Sequence, residues 1–203
     1  MSSTQSQTVE HTLARVHIPH ADSAWQLIMQ SGVTLPCTVG IPLAELLHEE
    51  FLLSPEQLAP VDVLLIDGMP VDEPEACIVP EAARIALASG LPGIAGLAMK
   101  KGSAVRGLRS GITHVHSAQP ARRPGSVSLS LYSLTLPLLA AHFLGRGVTL
   151  GKEQFLRYAR LATHQECLLD DQPIPLSTLE EKLAALPAST TVLLTATFMS
   201  ELT

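Results

Sequence analysis

The sequence predicts an α+β fold in which short strands and helices alternate along the chain. Apolar and polar residues alternate in several short segments, whereas in others the apolar residues recur at helical spacing. A third observation is an echo: "LLIDGMPVD" at residues 64–72 is matched by "LLDDQPI" at residues 168–174. Because the chain has 203 residues and is 46% hydrophobic, it can bury a substantial core.

The first half carries strand and helix signals in turn. "TLARVHI" predicts an imperfect strand whose apolar positions are Leu13, Val16 and Ile18. "SAWQLIMQSG" predicts a short helix or turn with Ser23 as its N-cap. An amphipathic helix is predicted over residues 41–52, and "PVDVLLIDG" and "ARIALAS" predict two further strands.

The second half repeats this order of signals. "SVSLSLY" predicts a half-buried strand with Val127, Leu129 and Leu131 on one face. "GKEQFLRYARLA" then predicts a helix, and "ECLLDD" and "TTVLLTATF" predict two strands. In the segment between those strands, Ser177 and Glu180 form a capping-box pattern.

The echo between the halves keeps its register. At an offset of 103 residues, the segment 65–67 matches 168–170, and Pro70 matches Pro173. Any two strand-turn segments that contain a proline agree at a few apolar positions, so the match also has a simple explanation. Both a single unit and a tandem duplication therefore stay open.

Residues 63–96 resemble a known family. Their sequence, "VLLIDGMPVDEPEACIVPEAARIALASGLPGIAG", is similar to the carboxyl-terminal half of the ubiquitin-like β-grasp sulfur carriers. These carriers include the small subunit of molybdopterin synthase and its relative in the thiamine pathway. Asp67 and Gly68 match the first turn of the carriers, and residues 84–88 match their last strand.

Two departures limit what this resemblance implies. Pro80 and Glu81 stand where the carriers have a second turn, and Gly93 and Gly96 are internal, whereas the carriers end in an activated glycine. The resemblance therefore implies a β-grasp (ubiquitin-like) unit, which the chain carries either once or twice in tandem, rather than sulfur-carrier chemistry.

The predicted domain order has four parts. A disordered tail over residues 1–10 precedes a β-grasp-like unit over 11–96. A basic connector rich in glycine and serine over 97–125 then leads to a second unit over 126–203. If the chain is a tandem duplication, this second unit is also β-grasp-like.

Charge is distributed unevenly along the chain. From Ala82 to Lys152 there is no Asp or Glu, and nine Lys and Arg residues give +9, whereas the whole chain carries −6. A basic, glycine-rich connector predicts an anion site, in which backbone N–H groups and cations hold a phosphate or carboxylate. Alternatively, the connector neutralises the acidic flanks or is a solvated linker. The candidate anion-binding residues are Lys100, Lys101, Arg106, Arg109, Arg122 and Arg123.

Histidines provide the second candidate site. His114 and His116 share one strand face if their segment is extended, and a pair at this spacing can bind one metal ion. His17 or His20 would supply a third ligand. Zinc is the metal that this pattern suggests, although histidine pairs also occur without a metal. No other cofactor is predicted.

Composition disfavours several function classes. With 3% aromatic residues and net acidity, the chain is not expected to bind nucleic acid. Three cysteines without CxxC spacing predict buried reduced thiols, and no nucleophile elbow supports catalysis. The longest apolar stretch, at residues 129–144, is too interrupted to span a membrane, and no secretory signal is recognised. These observations predict a cytoplasmic protein.

Two hypotheses from different classes follow. The favoured one is a non-enzymatic binding protein that uses a sheet edge or the basic connector to bind a protein partner or an acidic ligand, with self-association expected. The alternative is a small enzyme or sensor with an anion or metal site at the connector.

Overall fold

The structure is a computed structural model that describes residues 13–89, 121–163 and 166–198. These ranges contain both strands and helices, which confirms the predicted α+β class. The strands are β1 (Leu13–Ala21), β2 (Val33–Val39), β3 (Val63–Ile66), β4 (Met69–Pro70), β5 (Arg84–Ser89), β6 (Arg123–Ser133), β7 (Val148–Gly151), β8 (Glu166–Leu169), β9 (Gln172–Pro175) and β10 (Thr191–Phe198). The helices are a 3₁₀ helix (Ser23–Ser31), α1 (Leu43–Glu45), α2 (Pro55–Leu58), α3 (Thr135–Arg146), α4 (Lys152–Ala159) and α5 (Leu176–Ala185).

The ten strands of the described ranges form one sheet in the order β4-β3-β5-β6-β2-β7-β10-β1-β8-β9. The pairs β5–β6 and β1–β10 are parallel, and the other neighbouring pairs are antiparallel. Strand β6 lies between β5 and β2, and β1 lies between β10 and β8. Each side of the sheet therefore takes one central strand from the other half of the chain.

Two matching hairpins lie at the opposite edges of the sheet. Asp67 and Gly68 connect β3 to β4 with φ angles of 51° and 81°, and Asp170 and Asp171 connect β8 to β9 with 48° and 64°. A two-residue turn with both φ angles positive is the type I′ geometry, whose twist suits a tight hairpin. The echo in the sequence thus corresponds to two hairpins of the same kind.

The core lies between the sheet and the helices. Alternate residues of β1, namely Ala14, Val16 and Ile18, are buried in the same cluster as the apolar residues of the helices. Leu13 begins β1, as the sequence predicted, but it is 47% exposed. The alternation of β1 begins at Ala14, and Leu13 has the opposite parity.

Helix starts differ from the sequence prediction at two caps. The 3₁₀ helix is capped by Asp22, whose side chain accepts the backbone N–H of Ala24, rather than by Ser23. The capping box predicted at Ser177 is absent, because α5 begins at Leu176, directly after Pro175, without a side-chain cap. A capping box forms instead at α2, where the Ser54 and Gln57 side chains each accept a hydrogen bond from the other residue's backbone N–H.

The helix predicted over residues 41–52 is present in a modified form. Helix α1 continues into a π turn over Leu46–Glu50. Arg146 of α3 donates to the carbonyl oxygen of Glu50 at 2.7 Å, and Nε2 of His142 lies 2.7 Å from that of Phe51. These side chains satisfy carbonyl groups that the end of the turn leaves unpaired.

Helix α3 occupies most of the apolar stretch that was predicted to be core. Leu139, Ala140 and Phe143 are fully buried, whereas Leu138 is 43% exposed. Among the helices of the described ranges, none has the length and hydrophobicity needed to cross a lipid bilayer.

Candidate functional site

Most of the site residues predicted from the sequence lie outside the described residues. They are four candidate anion-binding residues and the two candidate metal ligands: Lys100, Lys101, Arg106, Arg109, His114 and His116. The anion and metal sites of the connector therefore stay predictions. The tail over residues 1–10 and most of the connector over 97–125 also lie outside the described ranges.

The two described candidates for anion binding are already paired with carboxylates. Nη2 of Arg122 lies 2.5 Å and 2.6 Å from the two carboxylate oxygens of Glu45. Nη1 of Arg123 lies 3.0 Å from Oε2 of Glu81, whose other oxygen accepts the backbone N–H of Ser126. The charges of these two arginines are therefore compensated within the chain.

Metal and thiol chemistry find little support in the described part of the chain. In residues 13–89, 121–163 and 166–198, no three His, Cys, Asp or Glu side chains are grouped so as to hold a metal ion. Burial raises the pKa of Cys77 and of Cys167 to about 11, and burial with the nearby Glu50 and Glu81 raises that of Cys37 to about 11. A raised pKa disfavours the reactive thiolate.

A recess on β1, β10 and the β8–β9 hairpin is lined largely by polar residues. Its volume is about 180 Å³. We call it the Arg15 recess, and its lining consists of Arg15, Val16, His17, Leu168, Asp171, Leu193 and Thr195. A cation, a carboxylate, an imidazole and a hydroxyl group thus converge on one small volume.

Strand alternation brings these side chains together. Residues of one parity on β1 and β10 are buried in the core, so Arg15, His17, Leu193 and Thr195 face the other side of the sheet. The parallel register places Arg15 opposite Leu193 and His17 opposite Thr195. Four lining residues therefore form a block of two adjacent pairs.

A hydrogen bond fixes the imidazole of His17. Its Nδ1 lies 2.9 Å from Oγ1 of Thr195, which also lies 3.5 Å from the carbonyl oxygen of Val16. Because Nδ1 is engaged, Nε2 is the nitrogen that can donate to or accept from a ligand.

The carbonyl groups of Arg15 and Arg84 accept equivalent backbone hydrogen bonds, each from the first turn residue of the neighbouring hairpin. The N–H of Asp170 donates to the carbonyl oxygen of Arg15 at 2.9 Å, and that of Asp67 donates to Arg84 at 2.8 Å. Arg15 and Arg84 therefore hold corresponding places beside the two turns.

The side chains of these two arginines differ in their partners. Nε of Arg84 lies 3.5 Å from Oδ1 of Asp67. Arg15 has no carboxylate within 4.0 Å among the residues that the structure describes. The hairpin that lacks this ion pair is the one that lines a recess, so the charge of Arg15 is available to a ligand.

The sequence alone singled out only one residue of this recess, His17, and for a different role. Arg15 and Thr195 belong to no recognisable sequence motif. Arg15 and His17 occupy alternate positions of a strand, however, and this pattern could have indicated a polar face. Asp171 was visible only as part of the echo. The residues that meet here are far apart in the chain, since His17 and Thr195 are separated by 178 positions.

Comparison with known proteins gives no guide to this site. No protein-family model matches the chain, and neither curated proteins nor solved structures show significant similarity to it. The function must therefore be argued from the geometry.

Proposed function

We propose that the protein is a cytoplasmic, non-enzymatic binding protein that takes a small acidic ligand in the Arg15 recess. The observation that carries this proposal is the guanidinium of Arg15, which has no carboxylate partner among the described residues and lines the recess with Thr195 and His17. A guanidinium binds a carboxylate or phosphate through charge-assisted hydrogen bonds, and the neighbouring polar groups add further partners.

The edges of the sheet are less suited to binding a partner strand. Strand β4 has only two residues and contains Pro70, and β9 contains Pro173 and Pro175. Proline cannot donate a backbone hydrogen bond, and short edge strands that contain it resist pairing with another chain. Of the two binding modes expected from the sequence, an acidic ligand is therefore favoured over strand addition and self-association through the edges.

We also propose that the two halves derive from a duplicated β-grasp-like unit. The matching turns, the 103-residue offset and the equivalent contacts of Asp67 and Asp170 support this. One feature departs from simple symmetry: β3 pairs with β5, whereas β8 pairs with β1 rather than with β10. A duplication in this chain therefore includes a rearrangement of the central strands.

The alternative function, a small enzyme or sensor with an anion or zinc site at the connector, depends on residues outside the described ranges. It stays a prediction, and titration with inorganic phosphate and with zinc would test its two sites.

Isothermal titration calorimetry with inorganic phosphate and with isovalerate tests the proposed function. At least one of these anions should bind, and Arg15→Gln should weaken that binding by about tenfold or more, because a charge-assisted hydrogen bond is lost. The matched control is Arg84→Gln, which removes the corresponding arginine of the other hairpin and should leave binding unchanged. If neither anion binds, or if both variants bind as the wild type does, the proposal is wrong.

A further inference from the structure

The Arg15 recess is lined by an acidic residue as well as a basic one, and neither has an ion-pair partner in the part of the chain that the structure describes. Asp171 lines the recess together with Arg15, yet no ion pair within 4.0 Å joins them or joins Asp171 to another cation in the described ranges. A recess for a simple anion would not gain from a carboxylate in its wall, because like charges repel. The carboxylate therefore indicates a second, positively charged group on the ligand.

The position of Asp171 is set by the backbone. It occupies the second place of the β8–β9 turn with φ 64°, and the corresponding residue of the other hairpin is Gly68 with φ 81°. Glycine adopts this left-handed conformation without strain, whereas a residue with a side chain does so at some cost. Asp tolerates it better than most residues, and Asp171, in the place that Gly68 holds in the other turn, lines the recess.

The remaining lining limits the size and polarity of the ligand. A volume of about 180 Å³ is slightly larger than the roughly 150 Å³ of a protein cavity that holds benzene. Leu168 and Leu193 provide an apolar surface, and both are half-buried. A small apolar side chain would contact these leucines while charged groups reach Arg15 and Asp171.

We infer that the Arg15 recess binds a free α-amino acid with a small apolar side chain. Its carboxylate lies on Arg15 and its ammonium group on Asp171, with Thr195 and His17 as further hydrogen-bonding partners. This inference rests on the proposed function and deepens it, because it names the class of ligand.

Three probes of the same shape separate the contributions of the two charges. L-valine carries both groups, isovalerate lacks the ammonium, and isobutylamine lacks the carboxylate. In calorimetric titrations of the full chain at low salt, L-valine should bind about threefold to tenfold more tightly than isovalerate, which is the range for a partly exposed charge contact. Isobutylamine should bind more weakly than L-valine.

Variants assign the difference to Asp171. Asp171→Asn keeps a residue that tolerates positive φ and should reduce the affinity for L-valine to that for isovalerate. The control Asp170→Asn removes the neighbouring carboxylate, which does not line the recess, and should leave the preference for L-valine intact. Circular dichroism of each variant verifies that the fold is kept.

The outcomes distinguish this inference from the proposed function. If L-valine and isovalerate bind equally, and both lose affinity in Arg15→Gln, the amino-acid inference is overturned while acidic-ligand binding stands. If the preference for L-valine survives Asp171→Asn, the inference is also overturned. If none of these three probes binds, the inference is overturned, and if inorganic phosphate also fails to bind, the proposed function is wrong as well.

Discussion

The ammonium group of Lys152 lies 2.5 Å from the carbonyl oxygen of Leu186. Only 5% of Lys152 is exposed, and its Nζ also lies 3.3 Å and 3.4 Å from the carbonyl oxygens of Leu183 and Ala184. These carbonyls belong to the end of α5, where intrahelical N–H donors run out; that of Leu183 also accepts the backbone N–H of Leu186. Lys152 therefore caps this helix, and its charge suits the negative end of the helix dipole.

Replacing Lys152 by methionine should lower the free energy of unfolding by about 1–3 kcal/mol, because buried carbonyl groups lose their donor. Urea denaturation followed by circular dichroism measures the effect. The control Lys182→Met removes an exposed lysine from α5 and should change stability by less than about 0.5 kcal/mol. Equal effects of the two substitutions would show that Lys152 is not a cap.

The two halves of the chain should not fold separately. A cut between residues 105 and 106 gives fragments that each lack a central strand, because β6 lies between β5 and β2 and β1 lies between β10 and β8. Each fragment alone should lack a cooperative unfolding transition in circular dichroism, and mixing the fragments should restore one. A fragment that unfolds cooperatively by itself would contradict the observed strand order.

Gly68 should be required for its backbone conformation alone. Its φ is +81°, and an added Cβ would meet nothing within 4 Å, so Gly68→Ala should cost about 1–2 kcal/mol through backbone strain. Gly145 is the contrasting site, since it lies inside α3 and its nearest neighbour to an added Cβ is 3.9 Å away. Gly145→Ala should raise stability by about 0.5–1 kcal/mol. Thermal unfolding of both variants decides whether the signs differ as expected.

The three cysteines should react slowly in the native protein. With each pKa raised from 9.0 to about 11, the thiolate fraction at pH 8 is roughly a hundredfold lower than for a free thiol. Titration with a thiol-reactive disulfide reagent should show little reaction before unfolding and three equivalents in denaturant. Rapid labelling of one cysteine in the native state would indicate an activated thiol, and mass spectrometry would identify it.

Local signals predicted local structure well. The strict alternation of Val127, Leu129 and Leu131 predicted β6, and all three are buried as expected. The prediction failed where the pattern was ambiguous: α3 was not predicted, because its apolar stretch shows no clear helical period. For the site, only His17 was named in advance, and as a metal ligand.

The sequence by itself predicted six of the ten described strands, β1, β3, β5, β6, β8 and β10, together with the first hairpin turn and the uneven placement of charge, since these depend on neighbours within a few positions of one another. Only the tertiary structure decided that β1 pairs with β10, which brings His17 to Thr195 and places Arg15 in the recess with Asp171. Such pairings depend on hydrogen bonding and packing across the whole sheet, and no short segment encodes them. The charges of Arg15 and Asp171, on which the proposed amino-acid site rests, have no ion-pair partner among the described residues and are brought to one recess by the fold.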